Sequence, residues 1–321
     1  MPPTQLLSRA IFLMGPTASG KTGVAVELAQ RIPSEIVSVD SVLVYRDLNI
    51  GAAKPSAGAL AAARHHLIDI LDPTETYSAA TFRRDALGAM ANIAARGKIP
   101  ILTGGTMLYF KTLVEGLSTL PSANAGVRAE IEARANRDGW PSLHAELAKL
   151  DLNTAARLKP TDAQRIQRAL EVCYLTGQAM SQQFDRRDAA ALPYAVLQIA
   201  LLPSDRTVLH RRIDMRFKAM LDRGMVEEVK QLQQRYSLNA SLPAMRAVGY
   251  RQVWEHLEGQ YDRDALLARG AAATRQLAKR QLTWLRAMPE LVVFDCLENR
   301  LAENVAGYVQ HWIAWPASSS L

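Results

Sequence analysis

Cysteine is almost absent: Cys173 and Cys296 are the only two in 321 residues. Two thiols give no disulfide framework and no metal-ligand spacing, which excludes a stapled secreted scaffold and a zinc module. No apolar run approaches the roughly 20 residues of a membrane span. The apolar run ahead of Gly15, Ala10 to Met14, is too short for a signal peptide. There is no internal repeat and no low-complexity block. His65-His66 lacks any ligand spacing and reads as structural. Together these absences favour a cytoplasmic chain with no membrane association. What is present is ordinary for a soluble globular protein: 49% hydrophobic and 21% charged residues, in a length that suits one large or two ordinary domains. Lys and Arg exceed Asp and Glu by 38 to 31, a net charge of +7. Such a surplus suits nucleic acid or a merely solvated surface, so the placement of the charges matters more than their sum.

The most informative segment is Gly15-Pro16-Thr17-Ala18-Ser19-Gly20-Lys21-Thr22. It follows the apolar run Ala10 to Met14 and opens an amphipathic stretch from Gly23 to Arg31. Strand, glycine-rich loop and helix are the context of a P-loop. Backbone N–H groups at a helix N-terminus form a concave anion site, Lys21 adds a point charge, and the Thr22 hydroxyl can ligate Mg²⁺. By itself the octet suggests ATP or GTP and phosphoryl transfer.

Strand-like runs at Ile36 to Val39, Leu67 to Leu71 and Ile99 to Leu102 alternate with helical periodicity, as at Phe82 to Ala95. This predicts an α/β fold: a P-loop NTPase-like parallel sheet flanked by helices. Ligands of such sheets bind at the carboxyl ends of the strands, where the octet, Asp40 and Gly104-Gly105-Thr106 all lie. From Pro121 to about Asp188 the pattern turns polar and helical. The reading is a discontinuous core domain, 1–120 and 190–321, with a helical insertion domain at 121–189. Tyr194 to Leu202 returns to the sheet. Helices are predicted at Arg206 to Asp222, Met225 to Arg235, Val248 to Leu257 and Asp262 to Ala287. A short strand follows at Leu291 to Phe294, then a frayed Ser-rich tail from Pro316.

Four features could carry chemistry. Asp40 ends a strand as a Walker-B acid does, but it follows the P-loop helix directly, where small-molecule kinases place a substrate-handling acid. It could take a proton from a nucleophile or simply cap nearby backbone. Gly104 and Gly105 would let backbone approach a ligand, and Thr106 could cap the next helix or bond a substrate. The run Lys279-Arg280-Gln281-Leu282-Thr283-Trp284-Leu285-Arg286 puts bases and an aromatic on one helix. That mixture serves single-stranded nucleic acid, or forms a solvated face. Gln164-Arg165-Ile166-Gln167-Arg168 could read base edges or decorate a surface.

These blocks together resemble the bacterial tRNA dimethylallyltransferases, along nearly the whole chain. The resemblance rests on the octet, D-S-V-L-V-Y-R from Asp40, I-G-A-A-K-P from Ile50 and G-G-T-M-L-Y from Gly104. It continues in Q-R-I-Q-R-A-L-E-V from Gln164, R-A-V-G-Y-R-Q from Arg246 and R-Q-L-A-K-R-Q-L-T-W-L-R from Arg275. The chain departs from the usual pattern at Val42, Ala52, Thr81 and Ala247.

The resemblance implies transfer of a dimethylallyl group from dimethylallyl diphosphate to a tRNA adenosine. The acceptor is the exocyclic amine of the adenosine just 3′ of the anticodon, in tRNAs reading codons that begin with U. It further implies Asp40 as base, Lys21, Thr106 and Arg216 as catalytic partners, and Gly15 to Thr22 as the diphosphate loop. Mg²⁺ would be the cofactor, with Thr22 its ligand. Contacts to the anticodon stem-loop would come from Asp40, Ser41, Val42, Leu43, Thr106 and Arg128, and from Gln164 to Arg168. Arg246, Ala247, Val248, Gly249, Tyr250, Arg251 and Lys279 to Arg286 complete the set. The expected state is a monomer. The alternative is a P-loop kinase of a nucleotide or small metabolite, which needs neither the basic Trp-containing helix nor the polar insertion.

Overall fold

The computed structural model describes residues 7–116, 120–183 and 192–314. The tail from Pro316 and the insertion's expected end near Asp188 lie outside the described residues. The chain divides into two compact units, Met1–Leu113 with Leu192–Leu321, and Val114–Ala191.

The first unit is built on six parallel strands: β1 (Ser8–Met14), β2 (Ser34–Val39), β3 (His65–His66), β4 (Ile99–Gly104), β5 (Tyr194–Leu202) and β6 (Val292–Asp295), in the order β3-β2-β4-β1-β5-β6. The central strands are apolar almost throughout because helices cover both faces. Side chains alternate across the sheet. Phe12, Met14, Val37, Val39 and Leu102 enter one core. Ile11, Leu13, Ile36 and Ile101 enter the other, with Val24 and Leu28 of helix Lys21–Arg31 and Val305 and Val309 of helix Leu301–Ala314.

β4 lies between β1 and β2. Asp40 therefore ends a strand one place removed from the P-loop strand, a neighbour relation that chain order does not reveal.

The strand expected at Leu67 to Leu71 forms instead at His65–His66. Leu67 and Asp69 have φ of 62° and 56°, which breaks the extended chain. Only an isolated bridge, Tyr45 to Leu71, remains of that expectation. The helices at Arg206–Asp222 and Met225–Arg235 have the expected bounds. The long basic helix runs Arg263–Arg286, with Asp262 accepting from the Ala265 N–H as its cap. At Ala79–Ala95, Ser78 accepts from the Thr81 N–H, and the two hydroxyls bond each other at 2.8 Å. Thr81 thus closes the start of its own helix.

The second unit is a small helical bundle: Ala125–Asp138, Trp140–Leu150, Leu152–Ala155, Ala163–Thr176 and Met180–Gln183. Ile131, Leu143, Leu147, Ile166 and Leu170 fill its core.

Candidate active site

A crevice of about 280 Å³ opens at the carboxyl ends of β1, β2 and β4, and Thr17, Lys21, Thr22, Asp40, Gly105, Arg216 and Gln281 are among its lining residues. The P-loop enters helix Lys21–Arg31 through Gly20, which offers no side-chain cap, and the first turn carries no acid. Its leading N–H groups therefore remain an anion site. Lys21 donates to Pro16 O at 2.7 Å. Desolvation, with the Arg216 charge nearby, lowers its pKa to about 8 against the opposing pull of Asp40. An anion in the crevice would favour the charged form and raise it again. Arg216 lines the same crevice and makes no ion pair with any described residue.

Asp40 Oδ1 accepts from the Val42 and Leu43 N–H groups at 2.8 and 3.3 Å. The capping role foreseen for it is thus filled by one oxygen, and no described residue bonds Oδ2. The Thr106 hydroxyl accepts from the Ser41 N–H at 3.1 Å. It pins the segment after Asp40 rather than capping the helix Met107–Glu115 that follows it.

The two glycines meet protein where the sequence suggested a ligand. A Cβ on Gly104 would stand 2.0 Å from Val39 O, and one on Gly105 would stand 2.3 Å from Gln281 Nε2. Gln281, buried on the basic helix, accepts from the Thr17 N–H at 2.8 Å and donates to Gly105 O at 2.9 Å. Among the described residues it braces the phosphate loop. Leu282 and Leu285 on the same helix are core residues. Lys279, Arg280, Thr283, Trp284 and Arg286 are exposed, and the Lys111 ammonium lies 5.5 Å from the Trp284 ring centroid.

The other expected tRNA contacts divide in the same way. Arg128 and Arg168 both clamp Glu171, which is 0% exposed, at 2.9 and 2.6 Å. A buried carboxylate needs such partners. Gln167 bonds Glu132 at 3.0 Å, and Ile166 is core. Only Gln164 and Arg165 of that run are exposed. Tyr250 is buried, its hydroxyl donating to Glu228 at 2.7 Å. Gly249 and Val248 line the crevice, Ala247 is half-buried, and Arg246 and Arg251 are exposed.

Several contributors were not anticipated. Glu228 accepts from the Asn49, Ile50 and Gly51 N–H groups at 3.0, 2.6 and 3.1 Å, holding the I-G-A-A segment on the crevice. Ser38 Oγ and Thr103 Oγ1 are buried with no hydrogen-bond partner among the described residues, and both residues line the crevice. A hydroxyl in the carboxyl-terminal half of a buried strand is the signal that marks each of them. Among the described residues no cluster of three or more His, Cys, Asp or Glu could hold a metal by itself. Any ion would lean on Thr22, on phosphate oxygens and on water.

A family model described as IPP transferase matches residues 43–288. The chain belongs to this family. A tRNA dimethylallyltransferase of Aromatoleum aromaticum is 59% identical over 300 residues, 92% of this chain and 94% of that protein. One of Nitrosospira multiformis is 58% identical over 300 residues, 94% and 93%. Among solved structures, a tRNA isopentenylpyrophosphate transferase of Bacillus halodurans covers 95% of this chain and 96% of its own at 32% identity, with a TM-score of 0.69. A eukaryotic dimethylallyltransferase acting on tRNA covers 98% and 81% at 26% identity, with a TM-score of 0.81.

Proposed function

We propose that this protein is a tRNA dimethylallyltransferase. It passes the dimethylallyl group of dimethylallyl diphosphate to N6 of adenosine 37, 3′-adjacent to the anticodon, in tRNAs reading codons that begin with U. The products are N6-isopentenyladenosine and pyrophosphate. The observation that carries the reading is one crevice joining an uncapped phosphate loop, Lys21 and Arg216 to a carboxylate with one uncommitted oxygen. The names of its close relatives agree with it.

In this reading the loop N–H groups, Lys21 and Arg216 bind the diphosphate and take up charge as the carbon–oxygen bond breaks. The Thr22 hydroxyl, which lines the crevice, would hold Mg²⁺ beside the diphosphate, and the ion when bound would draw further charge from the leaving oxygens. The adenine amine is a poor nucleophile because its lone pair is delocalised. It loses a proton as the carbon–nitrogen bond forms, and Asp40 Oδ2 accepts it while Oδ1 stays bound to the Val42 and Leu43 N–H groups. Thr106 acts by holding Ser41, and so the approach to Asp40. Gln281 keeps the loop closed against the basic helix.

The adenosine must leave its stack, which costs a few kcal/mol, least in an unpaired loop. Exposed Trp284, Lys279, Arg280 and Arg286 suit an anticodon arm, as do Gln164 and Arg165. No helix of the described residues is long and apolar enough to cross a membrane, in keeping with action on tRNA in the cytoplasm.

The test is mass spectrometry of nucleosides from tRNA incubated with the protein, dimethylallyl diphosphate and Mg²⁺. Isopentenyladenosine at position 37 is expected. Transfer of labelled phosphate from ATP, with no prenylated adenosine, would overturn the reading.

A further inference from the structure

We infer that Ser38 and Thr103 form a hydroxyl pair that holds, through water, the hydrated divalent ion accompanying the diphosphate. The inference rests on the reading above and adds two positioning residues to it. Ser38 on β2 and Thr103 on β4 are direct partners in register. Alternation along the strands places them on the face of Ile36 and Ile101, which packs against Val24, Ala25 and Leu28 of helix Lys21–Arg31. Both therefore lie under the helix whose first turn carries Lys21 and Thr22, and all four residues line one crevice.

Both hydroxyl oxygens are buried, Ser38 as a residue is 3% exposed, and neither finds a partner among the described residues. Buried hydroxyls left unmet destabilise a fold. Two of them on register partners, lining the same crevice as the phosphate loop, mark a place completed by something that arrives with the ligand. β4 is the neighbour of the P-loop strand, and the end of such a strand commonly carries an acid that helps hold Mg²⁺. Here that end reads Thr103-Gly104-Gly105, and the nearby acid, Asp40, follows β2 instead. Mg²⁺ gives up water reluctantly and keeps several molecules. A hydroxyl can both donate to and accept from such water. Neutral partners also leave the ion's charge directed at the diphosphate, which suits a leaving group.

The experiment uses Mn²⁺ as the probe, by electron paramagnetic resonance, titrated into the full-length protein with saturating pyrophosphate. Wild type, Ser38→Ala, Thr103→Val, Thr103→Ser and the Ser38→Ala/Thr103→Val double variant are compared. The double variant is expected to bind Mn²⁺ about tenfold more weakly, with pyrophosphate affinity in EDTA unchanged and Tm equal to or above wild type. Thr103→Ser, which keeps the hydroxyl, should stay near wild type. Mn²⁺ affinity within twofold of wild type in the double variant would overturn the inference, as would parallel loss of metal-free pyrophosphate binding. Failure here leaves prenyl transfer to be judged separately by the nucleoside products. A wild type that binds pyrophosphate but no Mn²⁺ would refute this inference and the metal's place in the reading together.

Discussion

In the helical unit, Glu171 meets two guanidinium groups and the Asn124 N–H, and Asp151 meets the backbone and hydroxyls of Thr154 and Ser181. Around the crevice the opposite holds. Among the described residues Arg216 has no ion pair, one Asp40 oxygen has no partner, and Ser38 and Thr103 are unpartnered, while Lys21 is desolvated. The first arrangement uses polar groups to hold a small bundle in one packing. The second keeps them ready for a charged ligand and forgoes the stability that pairing would bring. The same residue types thus differ in purpose by what surrounds them.

The comparison breaks most sharply at Lys21. Lys21→Ala is expected to lower the single-turnover rate of prenyl transfer on the order of 10²–10³-fold, with a thermal melt close to wild type. A large drop in Tm would mean that Lys21 supports the fold after all. Asp40→Asn should slow the same step about a hundredfold while tRNA affinity changes only a few fold; a near-normal single-turnover rate would return Asp40 to its capping role.

Glu171→Gln tests the other side. It should destabilise the protein by about 2–4 kcal/mol in denaturant unfolding and leave pyrophosphate affinity unchanged. Burial opposes ionisation of Glu171, but Arg128, Arg168 and the Asn124 N–H outweigh it and lower its pKa. Its contribution is therefore present above the ordinary carboxylate pKa and is lost as pH falls through the depressed one. The stability gap between wild type and Glu171→Gln should accordingly narrow in acid.

A smaller effect concerns pH at the crevice. Burial and the Arg216 charge lower the Lys21 pKa to about 8 in the free protein, and diphosphate favours its protonated form. Pyrophosphate affinity should fall as pH rises through that value, by up to about tenfold between pH 7 and 9. Lys21→Ala should remove that dependence. The smallest expected change comes from replacing Lys279 and Arg280 with Ala. The salt slope of tRNA binding should flatten by about 0.7 for each lost single-strand phosphate contact, and an unchanged slope would make that face merely solvated.

The phosphate loop and the alternation of strand and helix were legible because local rules govern them. Each depends on residues within a turn or two of one another. The Gln281 brace was not, because its partners lie 264 and 176 residues away. In the sequence, Gln281 is one amide in a basic run, and Arg128 and Arg168 are two more bases. Only the fold brings buried Gln281 to the Thr17 N–H, and Arg128 and Arg168 to the buried Glu171 carboxylate. The reading at Leu67 to Leu71 failed for the converse reason: left-handed backbone at Leu67 and Asp69 overrides a locally apolar pattern.

The sequence by itself determined the family, the anion-binding loop and the alternating strands and helices, since motif spacing and periodicity are properties of neighbouring residues. Only the tertiary structure decided that β4 separates Asp40 from the loop strand, which bases face outward, and which hydroxyls are left without partners. Those are consequences of strand order and burial, which arise when distant segments pack and each buried polar group must find, or lack, a partner.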